Sequence, residues 1–85
     1  MGNKMQKTKT VIYRTIITNE DRQTVSARNF EILADAEELA ESWNRKMLGR
    51  ESDYGTLSYI AVQKLEHELK TVGLNIWETV SEFEC

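Results

Sequence analysis

The residues with most potential for chemistry are few. His67 is the one histidine of the chain and lies between two carboxylates, in Leu65-Glu-His-Glu-Leu69. Flanking carboxylates raise an imidazole pKa and can make it a pH switch. In the plainer reading it is a surface imidazole among charges. A structural zinc site asks for four nitrogen or sulfur ligands, and neither a second histidine nor a cysteine pair is present. Cys85 is the one cysteine and the last residue of the sequence given. An intrachain disulfide is therefore excluded, and a reducing, cytoplasmic location is expected. A reactive thiol or an intermolecular bridge is the functional reading of Cys85; a frayed end is the plainer one.

The glycines Gly2, Gly49, Gly55 and Gly73 have no phosphate-loop or dinucleotide-fingerprint spacing. G-x-S-x-G, H-E-x-x-H and calcium-loop patterns are missing. Glu66, His67 and Glu68 form the one dense titratable cluster. As neighbours on a strand they point to different sides, a poor arrangement for acid–base work. The expectation is a non-enzymatic domain with no cofactor and no metal.

Eighty-five residues allow a single domain, and a chain this short needs nearly every large apolar side chain for its core. The expected division is a flexible basic lead over 1–8 and one α+β domain over 9–85. No apolar run approaches the roughly 20 residues of a membrane span, and MGNKMQKTKT is not a signal-peptide core.

The segment TVIYRTIIT over 10–18 is rich in β-branched residues and apolar on both alternating faces: Val11, Tyr13 and Ile17 on one, Ile12 and Ile16 on the other. Such a strand is central in a sheet. Polar Asn19–Arg22 reads as a turn, and 23–31 as the second strand of a hairpin. The apolar phase slips near Arg28–Asn29, which predicts a bulge or a strand end there.

Asp35 and Glu38 match a capping box that opens a helix. Ala36, Leu39, Ala40, Trp43 and Met47 recur on one helical face, with Glu38, Glu41 and Arg45 opposite and Gly49 as the stop. Residues 57–67 are ambiguous; strand is preferred because a lone hairpin is marginal in water. Ile76, Trp77, Val80 and Phe83 share a helical face, which predicts a short helix over 75–85. The whole reads ββαβα, a three-stranded antiparallel-type sheet of order 2-1-3 with one main helix and a short C-terminal one. The alternative is ββααβ, with 57–72 helical and the tail a strand. In either arrangement the outer strands leave open edges, available to a homodimer or to an added strand.

Charge is uneven. Residues 1–28 hold six basic and two acidic groups, and 29–85 hold five basic and twelve acidic. The net charge is −3. An acidic surface is suited to steering onto a basic partner. The leading expectation is a protein-binding inhibitor or adaptor of a larger protein, contacting it through Glu37, Glu38, Glu41 and Trp77. In size, acidity and lack of a catalytic motif the chain is similar in type to small accessory proteins of phages and mobile elements, including inhibitors of host defence nucleases. The alternative is a small DNA- or RNA-binding regulator that uses Lys7, Lys9, Arg14, Arg22 and Arg28, with Tyr13 and Tyr59 as stacking platforms. A sequence pI near 5.1 weighs against it.

Overall fold

The computed structural model describes residues 9–68 and 77–84. The expected lead over 1–8, residues 69–76 and Cys85 lie outside the described residues. The described part is an α+β domain with one antiparallel sheet and one helix. Its elements are β1 (Lys9–Asn19), β2 (Thr24–Phe30), α1 (Leu33–Lys46), β3 (Glu51–Ser52), β4 (Gly55–Glu68) and β5 (Trp77–Glu84). The strand order is β2-β1-β4-β3, with β5 also pairing β4. The expected 2-1-3 arrangement is thus present as β2-β1-β4, with β1 central. Every strand pair is antiparallel, and β4 follows β1 from Leu57 opposite Asn19 to Glu68 opposite Lys9.

Alternation along β1 assigns the two faces of the sheet. The Thr15 hydroxyl donates to the Ala36 carbonyl of α1 at 2.7 Å, so the odd-numbered residues of β1 from Val11 onward face the helix. Ile17, Ile60, Val62 and Leu57 meet Ala36 and Ala40 there, all buried. Tyr13, Val25, Phe30, Leu33, Trp43, Met47 and Phe83 pack around them. The alanines let the helix backbone approach the sheet, and the larger residues close the rim.

Three irregularities in register bring three apolar residues to this face. The pairing skips Val25 in β2, Ser58 in β4 and Val80 in β5. Each extra residue inverts the alternation beyond it. Val25 and Leu57 thereby join the core. Phe83 does so as well, although Trp77, six residues earlier, lies on the opposite face. The bulge of β2 falls at Val25, and of the two outcomes expected near Arg28–Asn29 the strand end is the one observed, at Phe30.

The same effect corrects the tail. The described tail residues form strand β5, not a helix. Trp77, Val80 and Phe83 recur at helix-like intervals because the bulge breaks the two-residue period of the strand. Residues 57–67 are strand, as preferred, so the two alternatives for the C-terminal half are not exclusive: both segments are strands of one sheet.

The helix begins two residues before the expected cap. Ile32 is the N-cap and offers no side-chain hydrogen bond, while Asp35 sits exposed in the first turn. There it favours the positive end of the helix dipole but does not cap. The helix ends at Lys46, and Gly49 follows at φ +88°, its amide bonded to the Leu57 carbonyl at 2.7 Å. That left-handed conformation suits glycine.

Candidate functional site

The face of the sheet away from α1 carries the even-numbered residues of β1 and their neighbours. Arg14 is opposite Gln63, which is opposite Thr79; Leu65 is opposite Trp77; Thr18 is opposite Tyr59. Arg14 donates from Nε to Gln63 Oε1 at 2.7 Å, and its guanidinium carbon lies 4.1 Å from the centre of the Trp77 ring. Burial lowers the Arg14 pKa from its ordinary value, though the group stays charged near neutrality. Arg22 lies 5.3 Å from the centre of the Tyr59 ring. The Tyr59 hydroxyl donates to Glu82 Oε1 at 2.7 Å. Its pKa is raised, first by partial burial and then by the hydrogen bond and negative charge of Glu82. Ile16 and Ala61 on this face are also buried, with no helix among the described residues above them.

Two turns meet at one end of the sheet through buried Asn19. Its Oδ1 accepts from the amides of Asp21 at 2.9 Å and Gln23 at 3.0 Å. Its Nδ2 donates to the Tyr54 carbonyl at 2.7 Å and to Gln23 Oε1 at 3.1 Å. One side chain therefore fixes the β1–β2 turn and joins it to the β3–β4 turn. Arg22 takes a left-handed φ of +66° in that turn, unusual for a non-glycine residue. The carbonyl of Asn19 accepts from its amide at 3.0 Å.

The four residues expected to bind protein do not form one patch. Glu37, Glu38 and Glu41 are exposed together on the outer side of α1. Trp77 is on the opposite face of the sheet, half-buried under Arg14. Of the three glutamates only Glu41 has an ion-pair partner among the described residues, Arg45 at 3.9 Å, as its i, i+4 spacing predicts. Nor do the expected nucleic-acid contacts form one patch. Arg14 and Arg22 share the helix-free face, each against an aromatic ring. Arg28, opposite Thr15, lies on the helix side. Lys9 is placed only as the first residue of β1, and Lys7 lies outside the described residues. Tyr13 packs against the core, so of the two expected stacking platforms only Tyr59 is on the helix-free face. Residues 66–68 continue β4, and His67 is opposite Thr10.

Surface clefts lie among the described residues. One of about 460 Å³ lies by Val11, Ile12, Asn29, Phe30 and Glu31. A second of about 440 Å³ separates β2 from α1. A third of about 370 Å³ lies beside Asn19 and Tyr54. Among the described residues no three histidine, cysteine, aspartate or glutamate side chains are grouped to hold a metal ion. No helix among them is long and apolar enough to cross a membrane. Among the described residues the exposed large apolar ones, Ile32, Tyr54 and Val80, stand apart at the β2–α1 link, the β3–β4 turn and the β5 bulge. Comparison of the chain with family models, with curated proteins and with solved structures finds no match.

Sequence reasoning missed Asn19 and the Arg14–Trp77 stack. An asparagine that opens a turn was visible as a turn former, but its bond to Tyr54 depends on a hairpin 35 positions away. The pairing of Arg14 with Trp77 depends on β5, which the sequence presents as a helix.

Proposed function

We propose that this domain is a non-enzymatic protein-binding module that acts in the cytoplasm as inhibitor or adaptor of a larger protein. It is of the type found among phage and mobile-element accessory proteins. Its partner presents a basic surface, such as that of a nucleic-acid enzyme. The observation that carries this reading is the outward acidic row of Glu37, Glu38 and Glu41 on a helix whose other side is fixed to the core. A rigid element holds these charges at low ordering cost, which favours binding. Complementary charge then steers the encounter.

The rival reading, direct nucleic-acid binding, lacks a continuous basic surface. Arg14 and Arg22 already lie on aromatic rings, Arg28 is on the other side, and Glu82 and Glu84 pair beside Ala61 and Tyr59. Two experiments separate the readings. Tagged protein and its Glu37→Gln/Glu38→Gln/Glu41→Gln variant are used to capture partners from the source cell, with quantitative mass spectrometry. The expected result is a basic protein retained by the parent and lost by the variant. Equal capture by both defeats the acidic-row reading. A gel shift at about 50 mM salt that weakens steeply as salt rises would favour the rival instead.

A further inference from the structure

The two outer edges of the sheet differ in chemistry. β5 carries Glu78, Glu82 and Glu84, all exposed, and a bulge at Val80 in its middle. A second copy pairing there through Glu82 and Glu84, which share one face, would set carboxylate against carboxylate, which opposes association. β2 from Ser26 to Phe30 pairs β1 without a break, and its one charged residue is Arg28. An unprotected regular edge is a template for another strand.

We propose that β2 is the dimerisation edge of this protein, and that its occupant is β2 of a second copy, added antiparallel to continue the sheet. Centred on Ala27, this pairing sets Ala27 against Ala27 and Ser26 against Arg28, so no like charges meet directly. The helix adds a second complement. The groove between β2 and α1 is lined by Arg28, Phe30, Asp35, Glu38, Ser42 and Arg45 and lies along this edge. Its acidic residues are near the start of the helix and Arg45 near the end. A two-fold axis normal to the sheet places both helices on one face, antiparallel. The Asp35–Glu38 end of each then faces the Arg45 end of the other. With strands about 4.8 Å apart, helices seated over β1 and β4 lie roughly 15–20 Å apart, a gap that arginine and glutamate side chains narrow from both sides. The interface is at the small end of specific interfaces, so a weak dimer is expected.

Sedimentation equilibrium on the full chain, from low micromolar to sub-millimolar concentration, tests this. The parent is expected to show a concentration-dependent monomer–dimer equilibrium. Ala27→Lys, at an exposed position, sets two like charges together and weakens the dimer by about tenfold or more. Val80→Lys, on the other edge, leaves it unchanged. Arg45→Glu weakens the dimer, and Asp35→Arg added to it restores association. Circular dichroism melts confirm that each variant folds. A parent monomeric at every concentration overturns the proposal. So does a dimer indifferent to Ala27→Lys, or one broken by Val80→Lys.

Discussion

The two faces of the sheet are held by different physics. Under α1, Ile17, Ile60, Val62 and Leu57 exclude water by close apolar packing, and the Thr15 hydroxyl donates across to the Ala36 carbonyl of the helix. On the other face Ile16 and Ala61 are also buried, and the ladder places Arg14, Gln63 and Tyr59 beside them, with Trp77 against Arg14 and Glu82 on the Tyr59 hydroxyl. Among the described residues one helix packs on one face of the central strand, while the other face carries long amphipathic side chains, a type whose apolar stems lie along a sheet while their polar ends meet solvent. Burial alone would make the faces look alike, yet they are expected to answer differently to mutation, salt and pH.

The sharpest way to break the comparison is to truncate the helix-covered face. Ile60→Ala leaves a cavity where no backbone can readily collapse, at an expected cost of about 3–4 kcal/mol. A domain of this size is stable by roughly 5–10 kcal/mol. Urea unfolding followed by tryptophan fluorescence should therefore show a large fall in midpoint. Next is Asn19→Ala, outside both faces. It strands two turn amides and the Tyr54 carbonyl, and about 2–3 kcal/mol should be lost. Asn19→Asp should recover part of this, because Oδ1 is retained as an acceptor.

The helix-free face should respond less. Trp77→Ala is expected to cost about 1–2 kcal/mol, and a double-mutant cycle with Arg14→Ala should give a coupling of about 0.5–1 kcal/mol. A Trp77 effect as large as that of Ile60 would erase the distinction between the faces. Proton linkage sharpens it further. Tyr59 has a folded-state pKa above the ordinary 10.0. Its contribution to stability is thus fully present below that pH and is lost as pH rises through the folded value. Spectroscopic titration of tyrosinate should find Tyr59 titrating late, and moved toward 10.0 by Glu82→Gln. The smallest effect belongs to the exposed Glu41–Arg45 pair, where Glu41→Gln should change stability by no more than about 0.5 kcal/mol.

Much of this division was legible in the residues. The β-branched run of β1 with bulk on both sides identified a central strand, and the spacing of Ala36, Ala40, Trp43 and Met47 identified the packed side of the helix. What escaped was the effect of single inserted residues. Val80 shifts the phase of β5, so Trp77 and Phe83 fall on opposite faces while their spacing imitates a helical turn. Ser58 does the same for Leu57, which the alternating pattern groups with Tyr59 and Ala61. Periodicity carries the element type only while the period is unbroken. The outer charges of α1 were plain in the sequence because helix geometry is regular there. Where Trp77 sits relative to them was not legible, since that depends on the pairing of β5 with β4.

The claim at the centre is that the outer row of α1 is free of structural duty and serves recognition. The direct test pairs a melt with partner capture for the Glu37→Gln/Glu38→Gln/Glu41→Gln variant. The account predicts an unfolding midpoint close to the parent's together with loss of the captured basic protein. A destabilised variant, or one that captures the same partner as strongly as the parent, contradicts it.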